Sequence, residues 1–210
     1  MPVSDRDVCL QGLQKLGLNP TEAQLKQIDD YVLLLKKWQT RMNLISPNTI
    51  NHIYERHILD SAQLVPHVSR GTILDMGAGA GLPSVVLAIF DVGVVHACER
   101  INKKAMFIQE VSRQLGLLDR LIVHNCPVED IAPIKFTTIT ARAVTELSDL
   151  FSMAHGHVSD DTILVFPKGK NVQEEILQAE KKWVMTLNLK SSITSLQSEI
   201  VVVSNLKPKQ

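Results

Sequence analysis

Several features that would assign the chain to a special class of protein are missing from its sequence. The three cysteines, Cys9, Cys98 and Cys126, are isolated and odd in number, so we expect neither a disulfide framework nor a cysteine metal site. His155 and His157 lack a third ligand, and we interpret them as a surface pair. No apolar run approaches the roughly 18 to 20 residues that cross a bilayer, and the N-terminus lacks a signal-peptide core. These absences predict a cytoplasmic protein with no metal and no membrane partner.

An excess of one charge sign is also missing. Lys and Arg together number 22, as do Asp and Glu, so the formal net charge is zero. A protein that binds long naked nucleic acid is usually basic, because it must neutralise phosphates. The positive residues do cluster locally, as in Lys36-Lys37 and Lys103-Lys104, and a balanced total can therefore hide a basic face.

The residues before Gly71 carry a helical pattern. Asn19 is predicted to cap a helix that has Pro20 at its first position. The apolar residues that follow recur at helical spacing and comprise Leu25, Ile28, Val32 and Leu35. A second helix is predicted over residues 49–65.

After Gly71 the pattern changes to short β-branched runs that alternate with amphipathic stretches. The runs predicted as strands are Thr72–Asp75, Val94–Glu99, Leu121–His124, Thr137–Thr140, Thr162–Phe166, Ile193–Leu196 and Ile200–Ser204. Helical stretches separate the first five, which implies parallel strands with right-handed crossovers, and the last two are predicted to pair antiparallel at one edge. The sequence thus predicts an α/β fold: a Rossmann-like, mostly parallel seven-stranded sheet in residues 69–210 and an N-terminal helical extension in residues 1–68.

The strongest local motif is Asp75-Met76-Gly77-Ala78-Gly79-Ala80-Gly81, between the first strand and the next helix. Glycines there let the chain turn tightly and let a ligand approach the backbone. A dinucleotide enzyme uses the spacing G-x-G-x-x-G, with a pyrophosphate at the helix N-terminus. Here the spacing is G-x-G-x-G and an acid precedes it, which disfavours an anion and suits the cationic methionine end of S-adenosylmethionine. The motif therefore predicts S-adenosylmethionine as the cofactor.

Residues after the next two strands fit the same ligand. Glu99 closes the second predicted strand, where an acid can accept the hydroxyl protons of an adenosine ribose. Val128 and Glu129 follow the third strand, where an adenine would lie. Taken alone, the segment around Val128 fits an ordinary loop equally well.

Four blocks between about Leu33 and Gly169 carry a resemblance to a known family. They are Trp38-x-x-x-x-Asn43-Leu44, Arg56-His57-Ile58-Leu59-Asp60-Ser61, the loop from Asp75 to Pro83, and Ala141-Arg142-Ala143 together with Pro167-Lys168-Gly169. With these blocks the chain resembles the bacterial glucose-inhibited division protein B family, which are class I methyltransferases. The resemblance implies methylation of guanine N7 in 16S ribosomal RNA of the small ribosomal subunit, by a monomer.

The resemblance also implies roles for single residues. The cofactor-binding residues would be Asp75, Gly77, Gly79, Gly81, Leu82, Glu99, Val128, Glu129 and Arg142. The substrate-binding residues at the pocket mouth would be Asn43, Arg56, His57, Asp60 and Lys168. Arg142 and Lys168 would also position the reacting groups. The family commonly has Asp at the position of Glu99, often Arg at Pro127, and Gly at Ser84, so the adenine packing and the loop shape differ here.

The predicted reaction needs no general base, because guanine N7 carries no proton. Positioning of the reactants therefore outweighs acid–base catalysis, and the sequence lacks the Cys and Asn-Pro-Pro-Tyr motifs of methylation at ring carbons and exocyclic amines. Arg142, Arg56 and Lys168 are candidates to read guanine N7 and O6. Two alternatives stay open at this point: a small-molecule methyltransferase and a non-catalytic ribosome-binding module. A dehydrogenase is excluded by the glycine spacing.

Overall fold

Seven strands are present in the computed structural model, which describes residues 3–209. They are β1 (Gly71–Met76), β2 (Gly93–Cys98), β3 (Leu121–His124), β4 (Thr138–Thr140), β5 (Ile163–Lys168), β6 (Trp183–Ser191) and β7 (Glu199–Pro208). They form one sheet in the order β3-β2-β1-β4-β5-β7-β6. The first five pair in parallel, and β7 runs antiparallel between β5 and β6. The predicted Rossmann-like α/β fold is confirmed.

Helices cover both faces of this sheet. The α-helices are α1 (Asp5–Lys15), α2 (Glu22–Gln39), α3 (Asp60–Ala62), α4 (Ser84–Ile89), α5 (Asn102–Gln114), α6 (Leu147–Ala154) and α7 (Val172–Ala179). Neighbouring residues of β1 point to opposite sides: Ile73 joins a cluster with α1, α2, α4 and α5, whereas Leu74 joins one with α6 and α7. Both faces are thus dry, as parallel sheets require. None of the helices within residues 3–209 is long and apolar enough to cross a membrane.

The N-terminal helices pack directly against the glycine-rich loop. The buried Tyr31 of α2 donates a hydrogen bond from its hydroxyl to the carbonyl of Ala80 at 2.6 Å. The helix does not begin as predicted, because its cap is Thr21 and not Asn19. Thr21 accepts from the backbone N–H of Gln24, and the Gln24 side chain accepts from the backbone of Thr21, which is a reciprocal capping box.

The helix predicted over residues 49–65 is irregular. A 3-10 helix (Pro47–His52), a π-helix (Tyr54–Leu59) and the short α3 follow one another, and a 3-10 turn (Val65–His67) ends the segment. The carboxylate of Asp5 accepts the backbone N–H groups of Tyr54 and Glu55 at 2.8 and 3.1 Å. These bonds tie the first turn of the π-helix to the start of α1.

Two further predictions are wrong. Residues 193–196 form the turn between β6 and β7, and the sixth strand lies upstream. The side chains of this strand that pack on the core recur at every second position and are Trp183, Met185, Leu187 and Leu189. This alternation identifies a half-buried edge strand, whereas the search for β-branched runs overlooked it. His157 is buried and not a surface residue, since its ring contacts the carbonyl oxygens of Ile134 and Val128.

Candidate functional site

The glycine-rich loop leaves β1 in a conformation that favours glycine. Gly77, Gly79 and Gly81 have φ of +71°, +59° and +83°, in the region that side chains with a Cβ rarely adopt. An added Cβ at Gly77 would come within 2.9 Å of a Val144 methyl group. At Gly81 it would meet Val85 at 2.6 Å, so this glycine serves packing within the protein.

Asp75 lies behind this loop. Its side chain is fully buried, and Oδ2 accepts the backbone N–H of Ser84 at 3.0 Å, which ties the end of β1 to the start of α4. Oδ1 and the Ser84 hydroxyl have no partner within the described residues. Burial raises the pKa of Asp75 to about 6, although the hydrogen bond from the backbone N–H of Ser84 acts in the opposite direction. Leu82 is likewise buried.

Glu99 fixes the loop from the end of β2. Its Oε2 accepts the backbone N–H of Gly79 at 2.8 Å, and its Oε1 accepts that of Ile101 at 2.7 Å. Each carboxylate oxygen can accept two hydrogen bonds, so one acceptor site on each remains for a ligand. The side chain is 5% exposed, which places these sites at the inner wall of a cavity.

This first cavity has a volume of about 490 Å³ and lies at the carboxyl ends of β1, β2 and β3. It is lined by Gly77, Cys98, Glu99, Arg100, Ile101, Cys126, Pro127, Val128, Glu129, Val144, Thr145, Asp149 and Met153. The lining combines apolar side chains with three carboxylates, Glu99, Glu129 and Asp149, and one cation, Arg100. It therefore suits a ligand with a flat apolar part and positive charge better than one with a pyrophosphate.

A second cavity of about 320 Å³ lies beside it and is much more polar. It is lined by Thr49, Arg56, His57, Asp60, Gln63, Arg142, Ala143, Pro167, Lys168, Gly169, Glu175, Ser192, Thr194, Ser195, Ser198 and Glu199. Three cations, Arg56, Arg142 and Lys168, face three carboxylates of the same lining. Residues 142–146, between β4 and α6, separate the two cavities, and we call this segment the partition.

Arg142 anchors the start of the partition. Its Nη1 donates to Asp60 Oδ2 at 3.2 Å and to the carbonyl of Arg56 at 3.4 Å, and its Nη2 donates to His57 Nδ1 at 3.1 Å. A guanidinium has five N–H donors, so the Nε hydrogen and one Nη2 hydrogen are left without a partner among residues 3–209. Thr194 Oγ1 in turn donates to Asp60 Oδ1 at 2.7 Å, which fixes the carboxylate.

His57 is held as one neutral tautomer. Because Nδ1 accepts from Arg142, the ring proton lies on Nε2, which donates to Thr49 Oγ1 at 2.7 Å. The Thr49 hydroxyl in turn donates a hydrogen bond to the carbonyl of Ser46. Burial, together with the positive charges of Arg142 and Arg56, lowers the pKa of His57 to about 3.

Lys168 anchors the other end of the partition. Its Nζ donates to the carbonyl of Thr145 at 2.8 Å and pairs with Glu175 Oε2 at 2.5 Å. The same Glu175 oxygen accepts the backbone N–H of Leu147 at 3.0 Å. Lys168 is therefore committed to the protein itself in this structure.

The structure thus sorts the predicted residues into groups. Gly77, Glu99, Val128 and Glu129 line the first cavity, and Arg56, His57, Asp60, Arg142 and Lys168 line the second. Asp75, Gly79, Gly81 and Leu82 support the loop without lining either cavity, and the exposed Asn43 lies in the loop after α2, away from both linings. Sequence reasoning missed Thr145, Glu175 and Thr194, because their partners are remote in the chain and no local pattern marks them.

Comparison with known proteins gives one family. The family model described as rRNA small subunit methyltransferase G matches residues 24–203. The chain is 37% identical over 213 residues to Ribosomal RNA small subunit methyltransferase G of Rhodopseudomonas palustris, with 98% of this chain and 94% of that protein covered. It is 36% identical over 200 residues to the protein of the same name from Caulobacter vibrioides, with 93% and 91% covered.

Solved structures share the fold at low sequence identity. An S-adenosylmethionine-dependent O-methyltransferase of Thermotoga maritima matches with a TM-score of 0.57 and 14% identity, over 85% of this chain and 72% of that one. TYW2 of M. jannaschii, solved in complex with AdoMet, matches with a TM-score of 0.56 and 14% identity, over 73% and 76%. At this identity the matches establish the fold alone.

Proposed function

Because this chain belongs to the rRNA small subunit methyltransferase G family, we infer that it is an S-adenosylmethionine-dependent methyltransferase acting on guanine N7 of 16S ribosomal RNA. The roles of the two cavities are assigned from one observation: residues of the partition line both of them, and the two linings differ in polarity and charge. The first cavity holds the cofactor and the second receives the RNA. This arrangement favours RNA methylation over the small-molecule and non-catalytic alternatives.

The residues of the first cavity fit the cofactor. Three carboxylates against one cation suit a ligand with an amine and a sulfonium. Gly77 lines the cavity, and a Cβ there would come within 2.9 Å of a Val144 methyl group, so glycine keeps the loop and the partition close together. When bound, S-adenosylmethionine supplies an electrophilic methyl group on a positively charged sulfur.

Glu99 and the segment after β3 hold the nucleoside part. Glu99 keeps one acceptor site on each oxygen for the ribose hydroxyls, while its bonds to Gly79 and Ile101 fix its position. Val128 provides buried apolar surface for the adenine, and Glu129 lies at the exposed edge. Asp75, Gly81 and Leu82 do not line the cavity and instead stabilise the conformation of the glycine-rich loop.

The second cavity holds the guanine by donors that leave N7 free. The N7 lone pair must point at the methyl group, so it cannot accept a hydrogen bond at the same time. The unpaired Nε and Nη2 hydrogens of Arg142 therefore donate to O6 or to a phosphate, and Arg56 supplies further positive charge at the mouth. His57 and Asp60 position Arg142, and Asn43 contacts RNA outside the cavity.

The same residues explain why proton transfer plays no part. The neutral His57 directs Nδ1 at Arg142 and Nε2 at Thr49, so both ring nitrogens are engaged. Lys168 is bound to Thr145 and Glu175 and acts by positioning the partition. The protein accelerates the reaction by holding the two reactants in line.

We further propose that the substrate is the small ribosomal subunit, which places the reaction in the cytoplasm, and that the protein acts as a monomer. We also propose that the chain divides into a helical extension over residues 1–68 and a methyltransferase domain over residues 69–210, of which residues 1, 2 and 210 lie outside the described residues. The hydrogen bond from Tyr31 to Ala80 and the shared hydrophobic cluster support packing of this extension on the domain.

Methylation of small subunits from a strain that lacks this enzyme tests the proposal. Purified protein and labelled S-adenosylmethionine should place one methyl group on 16S ribosomal RNA, and chemical cleavage at N7-methylguanine should locate it. Naked 16S RNA is the matched substrate and should react more slowly, because the balanced second cavity offers little excess charge for RNA alone. A methyl group on a ring carbon, an exocyclic amine or a ribose would contradict the assignment.

A further inference from the structure

One wall of the first cavity is held from outside that cavity. The wall consists of Val144 and Thr145 of the partition together with Asp149 and Met153 of α6. The side chains that fix its position, Lys168 and Glu175, line the second cavity instead. The shape of the cofactor site therefore depends on residues that do not face it.

Glu175 is the residue on which these contacts converge. A single oxygen, Oε2, accepts the backbone N–H of Leu147 at 3.0 Å and the ammonium of Lys168 at 2.5 Å. Lys168 Nζ also donates a hydrogen bond to the carbonyl of Thr145 at 2.8 Å, which links Glu175 to the partition. The Lys168 and Glu175 side chains are only 11% and 16% exposed, so water screens this pair little.

The partition does not keep its shape through its own backbone preference. Ala143 has a φ of +56°, in the left-handed region where an alanine is strained. Such a conformation persists only where the surroundings hold it in place. On one side of Ala143 the backbone is fixed by the bond from Arg142 to Asp60. On the other side it is fixed by the bond from Lys168, which Glu175 holds, to the carbonyl of Thr145.

We propose that Glu175 is a positioning residue with two linked effects: it shapes the first cavity for the cofactor and restrains Lys168 at the RNA mouth. This inference rests on the proposed function of the two cavities. Glu175 acts on the cofactor only through Leu147, Lys168 and Thr145. At the mouth it places a negative charge where RNA phosphates arrive, so it weakens RNA binding while it strengthens cofactor binding.

Effects of opposite sign distinguish this role from a merely structural one. Removing the charge of Glu175 should loosen the wall and weaken the cofactor complex by roughly threefold to thirtyfold. It should also free Lys168 for phosphate and tighten RNA binding by roughly twofold to fivefold at low salt. A general loss of packing would weaken both complexes together.

The experiment compares Glu175→Gln and Glu175→Ala with two control variants. Glu174→Gln removes an exposed charge from the same first turn of α7, and Glu199→Gln removes a charge from the second cavity without touching the wall. Calorimetry measures affinity for S-adenosylhomocysteine, and filter binding measures affinity for unmodified small ribosomal subunits. Thermal unfolding of each variant checks that the fold is retained.

We expect weaker cofactor binding for both Glu175 variants, with alanine worse than glutamine because it also loses the bond from Leu147. RNA binding should tighten equally in both. Glu199→Gln should tighten RNA binding alone, and Glu174→Gln should change neither. Unchanged cofactor affinity in Glu175→Ala, or weakening of both complexes, would overturn the inference. If the unaltered protein bound no S-adenosylhomocysteine, the proposed function itself would fail instead.

Discussion

The two cavities share one wall, yet their polar groups are satisfied in different ways. In the first, Glu99 bonds to backbone N–H groups and keeps acceptor sites for a ligand. In the second, Arg142 pairs with Asp60 and Lys168 pairs with Glu175. A cofactor can therefore enter the first cavity without breaking a contact, whereas an RNA group must extend or replace pairs that already exist.

Charge balance in the second cavity matches the zero net charge of the whole chain. A cation that is left unpaired in a partly buried site carries a large desolvation cost, and a carboxylate partner offsets it. The second cavity is balanced in this way, with three cations and three carboxylates. Its selectivity then comes from the arrangement of donors on a shaped substrate and not from bulk attraction to phosphate.

The largest expected effect is at Arg142, where the second cavity meets the partition. Arg142→Ala removes three hydrogen bonds, and Asp60 Oδ2 and His57 Nδ1 lose the guanidinium as their donor. We expect kcat/KM for the RNA to fall by about a hundredfold to a thousandfold, since this corresponds to the loss of one or two bonds from Arg142 to the substrate at about 1.5 to 3 kcal/mol each. Steady-state methylation of small subunits measures the loss.

Arg56→Ala is the matched control, because its side chain lines the same cavity but is exposed. It should lower kcat/KM by less than about tenfold, as a charge at the rim usually does. Equal losses in the two variants would mean that Arg142 contributes charge alone and has no special position.

The next effect belongs to the first cavity. Glu99→Ala removes the ribose acceptor and also frees the N–H groups of Gly79 and Ile101. We expect cofactor affinity to fall on the order of tenfold to a few hundredfold, with little change in RNA affinity. Glu174→Ala, which removes an exposed acid that lines neither cavity, serves as the control in calorimetry. A change of less than about twofold for Glu99→Ala would place the ribose contact elsewhere.

The same contrast governs what the sequence could predict. The first cavity is built from local signals: a glycine-rich turn after β1 and an acid at the end of β2 both mark strand ends, where such sites form. Glu99 could be assigned from these alone. The burial of Asp75 behind the loop could not, because it depends on how α4 packs, and the periodicity carries no information on which strand-end acid faces inward.

The second cavity depends on contacts between remote parts of the chain. Asp60 contacts Thr194, which is 134 positions further along the chain and lies in a turn that was predicted as a strand. Lys168 and Glu175 belong to β5 and α7, and only the closed fold shows that both hold the partition. The residues of this cavity could be named from a family resemblance, but their pairing could not, since no local pattern records it.

Acid should affect the stability of the two regions in opposite directions. His57, with its pKa lowered to about 3, stays neutral in the fold while the unfolded chain takes up a proton, so stability is lost as the pH falls below about 6.5. Asp75, with its pKa raised to about 6, is protonated first in the fold, so stability is gained from about pH 6 down to about pH 4. For each group, the free energy of unfolding changes by at most about 1.4 kcal/mol per pH unit.

Two single variants distinguish the contribution of His57 to the pH dependence of stability from that of Asp75. His57→Gln keeps an acceptor for Arg142 and a donor for Thr49, so it should remove only the loss on acidification. Asp75→Asn keeps an acceptor for the N–H of Ser84 and should remove only the gain. The free energies of unfolding from urea titrations should therefore diverge between about pH 6 and pH 4. Parallel curves for the two variants would show that neither group titrates as described.

The smallest expected effect is an absence of pH dependence in the chemical step. Guanine N7 has no proton to lose, and His57 stays neutral because burial and the charges of Arg142 and Arg56 disfavour its protonated form. At saturating cofactor and RNA, single-turnover rates between about pH 6 and pH 8.5 should vary less than about twofold. His57→Gln should keep this flat profile while lowering the rate through the position of Arg142. A bell-shaped profile that disappears in His57→Gln would show that His57 transfers a proton, and the second cavity would then act by acid–base catalysis and not by positioning alone.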